Sequence, residues 1–226
     1  MVTVADWQEH YPFSVLNRGQ FSQRALTLRR FASELGYPDL MFANNEYGLS
    51  QFEKERFIGY NRFVYGLVAI EYLQDLFIGR FDMAAFWPNV PSDADMGGAR
   101  EERSLIDTTA GNRLNPFHFG LEMLASAEGK RLARIEGGGP DGYGFAAISD
   151  DRLEVFLLNK SSTPSSIELR ISGATSIGPA GHITSLVDTP DHWGRLQETP
   201  MTIDASPIEV ILPPLSYSKI VLPVAR

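Results

Sequence analysis

A chain of 226 residues with 43% hydrophobic and 11% aromatic residues has enough apolar material for one large globular domain or two ordinary ones. Its net charge of -8 and the lack of any basic run argue against a nucleic-acid partner, because phosphate binding needs clustered Lys and Arg. With no cysteine there is no disulfide framework and no thiolate nucleophile or ligand; the four histidines, His10, His118, His182 and His192, are too scattered to suggest a metal centre, and no cofactor is expected.

The first ten residues lack a basic stretch followed by an apolar one, so no secretory signal is expected in this chain and its cellular location stays open. The longest apolar segment, Phe63 to Ile78, is broken by Glu71, Gln74 and Asp75 and is too short to span a bilayer, so no membrane partner is expected.

In chain order, Val2–Trp7 alternates and predicts a short strand with a polar and aromatic exit through His10 and Tyr11. Phe21, Ala25, Leu28, Ala32 and Leu35 recur at helical spacing and predict one buried face of an amphipathic helix over 20–35, stopped by Gly36 and Pro38. Next, the apolar run Leu40-Met41-Phe42-Ala43 passes directly into Asn44-Asn45-Glu46-Tyr47-Gly48. That pattern fits a strand covered on both faces whose carboxyl end opens into a site, and it fits an ordinary polar turn as well.

A loop containing Gln51–Arg56 leads into a long helix, about Tyr60–Gly79, whose circumference is mostly apolar apart from a narrow stripe of Glu71, Gln74 and Asp75. A helix of that kind is largely buried. Met83–Trp87 predicts a second short apolar strand emptying into the Pro88–Pro91 loop. The polar stretch from Ser92 to Asn112 is longer than connections usually are unless they cover a site, and Asn115-Pro116 starts a helix that reaches Gly129.

After Gly129 the character changes. Lys130–Glu136, Tyr143–Ser149, Leu153–Asn159, Ser166–Ser172, His182–Val187, Met201–Ile203, Ile208–Leu212 and Ser216–Leu222 predict short strands separated by turn signals such as Gly137–Gly142 and Thr189-Pro190-Asp191. The expected fold class is therefore α/β plus all-β: successive βα units over 1–129, then an antiparallel β-sandwich over 130–226.

The order of these parts resembles a known architecture. An Asn-Glu-Tyr-Gly strand end at 45–48, a long apolar helix, an Ala-Phe-Trp strand end at 85–87, a helix opening Asn-Pro-Phe-His-Phe-Gly and a final Leu212-Pro213-Pro214-Leu215-Ser216-Tyr217-Ser218 segment resemble the C-terminal part of a clan A retaining glycoside hydrolase. The arabinofuranosidase-, xylosidase- and agarase-like members carry a β-sandwich after a (β/α)8 barrel, and residues 1–129 would be about the last three βα units of that barrel. By position, Glu46 resembles the nucleophilic glutamate at the end of barrel strand seven and Trp87 the tryptophan that floors the sugar subsite after strand eight. His10 and Tyr11 resemble the polar residues that follow strand six; Tyr47 or Tyr11 would hydrogen-bond the Glu46 carboxylate at the substrate site, and Asn44 and Asn45 would either hold a sugar hydroxyl or satisfy backbone at the strand exit.

Asn45-Glu46 also resembles the Asn-Glu pair of strand four, which bears the acid/base, but there four further βα units would follow, and here one strand precedes the sandwich. The resemblance implies carbohydrate as the partner and a retaining mechanism with two carboxyl groups about 5–5.5 Å apart. The second of those carboxyl groups has no counterpart at a matching position of this chain. A partial barrel cannot close on itself, so association with the missing barrel portion or with another copy is expected. A reading from a different class is a non-catalytic carbohydrate-binding or assembly module, in which the sandwich and an aromatic rim matter and Glu46 is incidental. His118, on the first turn of a helix, reads as a packed or capping residue, and His192-Trp193, in a sandwich loop, reads as surface packing rather than a second carbohydrate contact.

Overall fold

A computed structural model describes residues 20–47, 62–86, 104–133, 135–136, 142–174, 176–204 and 206–225. The expected strand Val2–Trp7, its exit residues His10 and Tyr11, the Gln51–Arg56 loop, Trp87, the Pro88–Pro91 loop, the first part of the Ser92–Asn112 stretch and most of the Gly137–Gly142 turn lie outside the described residues. The chain separates into two compact units, Met1–His118 and Phe119–Arg226.

The first unit opens with helix α1, Gln20–Glu34, which Gly36 ends in the left-handed conformation at φ 91°. The predicted buried face is half right: Ala25 and Ala32 are buried, but Leu28 and Leu35 are exposed. Strand β1, Ala43–Tyr47, starts later than its apolar run predicts, because Leu40 and Met41 form an exposed connection ahead of it. Helix α2, Arg62–Ile78, is enclosed so completely that its polar stripe is buried as well: Glu71, Gln74 and Asp75 are each 0% exposed. Asp75 earns this position by accepting a hydrogen bond from the backbone N–H of Ser22 at the start of α1 (3.1 Å). Gly79, just beyond α2, lies so close to α1 that a Cβ there would stand 3.1 Å from Ser22 Cα. Arg80 then takes a left-handed turn (φ 56°) and leads into strand β2, Met83–Phe86.

β1 and β2 pair in parallel, Ala43 opposite Met83 and Asn44 opposite Ala84. Their entry is clamped by Asp82, whose carboxylate accepts the Phe42 N–H (2.7 Å) while its own N–H donates to the Phe42 carbonyl (2.8 Å). The Arg29 guanidinium from α1 donates to that carboxylate and to the Arg80 carbonyl, and lies over the Phe42 ring 4.5 Å from its centroid. The expected polar loop up to Asn112 is not wholly irregular: it contains β3, Ile106–Asp107, which pairs with β4, Arg113–Leu114. Helix α3, Pro116–Ala125, begins in the first unit and continues into the second; it is shorter than the predicted run to Gly129 because its last turn relaxes into i→i+3 bonds such as Ala127 N–H to Leu124 carbonyl.

The second unit is a mostly antiparallel sandwich. Strands β5 (Arg131–Ala133), β6 (Gly142–Ile148), β7 (Arg152–Asn159), β8 (Ser165–Leu169), β9 (Ser176–Ile177), β10 (Ala180–Val187), β11 (Arg195–Thr202), β12 (Ile208–Leu212) and β13 (Ser216–Ala225) form a large sheet in the order β11-β10-β13-β7-β6-β5, with β9 on β13, and a small β12-β8 sheet. Side chains of both sheets share one core, with Val155, Ile183, Ile220 and Leu222 from the large sheet and Ile208, Val210 and Leu212 from the small one.

The opposite face of the large sheet is buried too, through Phe156, Leu158 and Tyr217, each 0% exposed. Burial on both faces explains why β7 reads as a nearly continuous apolar run rather than an alternation. The turn after α3 is tied to that face by charge: Lys130 pairs with Glu154 at 2.5 Å, and Ser126 donates to the same carboxylate at 3.0 Å. The predicted Met201–Ile203 strand is in fact the last part of β11, an eight-residue hairpin partner of β10. Its sequence, Arg-Leu-Gln-Glu-Thr-Pro-Met-Thr, carries no alternation because it is an exposed edge, where Pro200 is tolerated.

Candidate active site at the ends of the parallel strands

In a βαβ unit with parallel strands the helix runs back against them, so the start of α2 at Arg62 and the start of α3 at Pro116 lie toward the carboxyl ends of β1 and β2. Glu46 belongs to that end of β1. Between Asn44, opposite Ala84, and Tyr47, opposite Phe86, β1 has one more residue than β2, so Asn45 and Glu46 sit in a β-bulge. Bulges gather next to active sites, where they re-aim side chains and end strand pairing. Of Asn45, Glu46 and Tyr47 the backbone alone is described, so the bulge is the feature that marks Glu46.

The walls of this end are described in more detail. The Asn44 amide donates to the Tyr72 hydroxyl of α2 (3.4 Å). Burial raises the Tyr72 pKa; the Asn44 bond opposes that shift and the Asp75 charge adds to it, so the hydroxyl stays protonated. The Phe86 ring lies 4.3 Å from that of Phe117 on the first turn of α3. α2 and α3 approach so closely that a Cβ on Gly66 would stand 2.6 Å from Pro116 Cβ, which leaves room for glycine only.

A polar frame sets the entry to both helices. Arg62 donates to Asp107 (2.9 Å) and to the Asn115 side-chain carbonyl (2.8 Å), and the Asn115 amide donates to the Ser104 carbonyl (2.9 Å). Asp107 also accepts the N–H groups of Thr109 (2.9 Å) and Ala110 (3.0 Å) and the Thr109 hydroxyl (2.7 Å). Burial acts to raise the Asp107 pKa, but the bonds from Thr109, Arg62 and Ala110 outweigh it and hold the carboxyl below its ordinary value. A carboxylate held ionised in this way is a scaffold and does not serve as a proton donor at neutral pH.

Sequence reasoning passed over Arg62, Asp107 and Asn115. The Asp-Thr-Thr turn and an Asn immediately before a helix-starting Pro were the available signals. Of the residues it selected, His10, Tyr11 and Trp87 lie outside the described residues. Trp193, expected to pack at the surface, is buried at 9% exposed, and His192 pairs with Asp188 (3.0 Å) in the β10–β11 turn. Among the described residues no cluster of His, Asp and Glu has the makings of a metal site.

No protein-family model matches the sequence, and no curated protein does. Solved structures do. The chain is similar to an arabinose-bound GH51 α-L-arabinofuranosidase (13% identity, TM-score 0.63, 91% of this chain against 35% of that one). It is also similar to CelM2, a bifunctional glucanase-xylanase from a metagenome library (19%, 0.60, 90% against 34%). A third likeness is to Xyn30A, a glycoside hydrolase family 30 subfamily 8 xylanase from Clostridium acetobutylicum (14%, 0.58, 81% against 42%). The fold is shared with part of clan A glycoside hydrolases. The chain spans only 34% to 42% of the length of these three structures.

Proposed function

We propose that this chain is the C-terminal part of a retaining glycoside hydrolase, in which Glu46 is the nucleophile. The observation that carries the reading is the position of Glu46 in a β-bulge at the carboxyl end of a parallel strand, in a fold shared with glycoside hydrolases. Chemistry in such folds gathers at the carboxyl ends of the strands. In the proposed mechanism the Glu46 carboxylate attacks the anomeric carbon of a bound sugar, and the bond to the leaving oxygen breaks as a second carboxyl group protonates that oxygen. Water then hydrolyses the glycosyl-enzyme, giving up its proton to the second group, now a base. That second carboxyl group belongs to the part of the architecture that this chain does not span. Asn45, Tyr47, His10 and Tyr11 would hold sugar hydroxyls and Trp87 would stack on the apolar face of a sugar ring.

A second reading is favoured by the span of the chain, about a third of the matching enzymes' length: a carbohydrate-binding or assembly module in which Glu46 takes no part. Glu46→Gln separates the two. In an enzyme reconstituted with the complementary barrel portion, the first reading predicts a loss of turnover on the order of 1,000-fold or more with KM little changed. The second predicts that binding of xylo-, arabino- and cello-oligosaccharides to the chain, followed by calorimetry, survives the substitution, and that no turnover was there to lose.

A further inference from the structure

Asn44 and Tyr47 are three residues apart on β1, so a regular strand would place them on opposite faces. Their partners on β2, Ala84 and Phe86, are two residues apart and share one face. That face is the one covered by helices: Phe86 packs on Phe117 of α3, and the Asn44 amide reaches the Tyr72 hydroxyl of α2 (3.4 Å). The alternate positions of β2, Met83 and Ala85, are exposed, as is Ala43 opposite Met83. The bulge reconciles the odd step on β1 with the even step on β2, because Asn45 and Glu46 together take the place opposite Ala85. Without it, a strand running on from the same Asn44 would bring Glu46 opposite Phe86, on the helix-covered face. The bulge therefore gives Glu46 a register position on the open face.

Such a register needs β1 to be held on the residue just before the bulge. Asp82 fixes the entry of the strand at Phe42, and Asn44 is the next point that is tied, to Tyr72. Asn44 is thereby engaged with the helix layer and not with a sugar at the open face. We propose that Tyr72, acting through Asn44, is a positioning residue for Glu46: the tie holds Asn44 on the helix-covered face, and the bulge next to it then presents Glu46 on the open one. The proposal rests on the reading of Glu46 as the nucleophile and deepens it by naming what holds its strand. α2 suits the task because it is enclosed along its length, with Leu67, Ile70 and Leu76 at most 1% exposed, and a site is held best by hydrogen bonds from a rigid element. A reacting group displaced by about 1 Å loses rate on the order of 100-fold, so a tie remote from the sugar governs turnover.

The test begins with the full chain as Tyr72→Phe, which keeps the packing of the ring, as Asn44→Ala and as the double variant. Residue-resolved hydrogen exchange should be about 10-fold faster at the amides of 45–47 in each single variant, with α2 and the sandwich unchanged. Because Tyr72 acts through Asn44, the double variant should exchange no faster than the quicker single one. In the enzyme reconstituted with the complementary barrel portion, Tyr72→Phe should lower kcat about 10- to 100-fold and leave KM within about twofold of the parent. Three results overturn the proposal: exchange at 45–47 indifferent to Tyr72→Phe, effects of the two substitutions that multiply in the double variant, or a parental kcat for Tyr72→Phe in an enzyme that Glu46→Gln inactivates. Turnover that survives Glu46→Gln overturns the nucleophile reading, and the positioning role with it, whatever the exchange shows. Unchanged exchange beside an inactive Glu46→Gln overturns the tie alone, so the two failures are told apart.

Discussion

The two units differ in how completely each covers its own apolar side chains. Among the described residues, the first unit leaves Leu26, Leu28, Phe31, Leu35, Tyr37, Leu40, Met41 and Met83 exposed, whereas the second leaves Leu132, Ile135 and Ile211. The sandwich finds the partner for each inner face within itself, the small sheet closing over the large one around Val210, Leu212 and Ile220. In the α/β unit a helix row and a strand entry are exposed among the described residues. A sheet-on-sheet fold can be finished by its own chain in about a hundred residues, while a helix-covered parallel sheet needs each helix flanked by the next.

That contrast can be broken by mutation, most sharply at the fully buried positions of the second unit. Leu212→Ala or Phe156→Ala, each at a fully buried position, should cost about 3–5 kcal/mol in chemical denaturation; a loss below about 1 kcal/mol would show that the second unit is less closed than described. Next in size is Asp107→Ala, which leaves the Arg62 guanidinium without its carboxylate and frees the Thr109 turn. Roughly 3 kcal/mol of stability should go with it, seen in the unfolding of the first unit. Gly66→Ala, forced against Pro116, should cost about 1–3 kcal/mol by overpacking. Smallest is Leu28→Ala on the exposed helix row, expected within about 0.5 kcal/mol of the parent in the isolated chain. If it rivals Leu212→Ala, the row is covered and the comparison fails.

Acid offers an independent handle on the polar frame. The folded pKa of Asp107 is below its ordinary value, so the stability it contributes is complete above about pH 4, the unfolded value, and fades as pH falls through the lower folded one. Asp107→Asn removes that titration. The difference in melting temperature between parent and variant should shrink as the pH is lowered from 6 to 3, and a constant difference would contradict the assignment.

Much of the fold was legible because periodicity reports local structure well. The spacing of Ala25 and Ala32, the apolar circumference of α2, Pro116 at a helix start and the alternation of β12 each predict the element observed. The stretch around Glu46 was legible only as containing a strand: the apolar residues Leu40 and Met41 lie exposed ahead of β1, and the strand is Ala43–Tyr47, the residues expected to be its exit. The bulge at Asn45 and Glu46 was not, since it arises from the mismatch of β1 against β2, a strand some forty residues later in the chain. Arg62, Asp107 and Asn115 were missed for the same reason, each being an unremarkable polar residue until folding brings it to the others.

The sequence by itself determined that there are two kinds of structure here, helices alternating with parallel strands and then antiparallel strands, because side-chain period and turn chemistry are properties of neighbouring residues. Tertiary structure alone decided which part of each pattern is covered. Ala25 and Leu28 are equally at home on the apolar stripe of α1, yet one is buried and the other exposed. Burial depends on what stands opposite, and what stands opposite comes from distant parts of the chain or from another chain altogether.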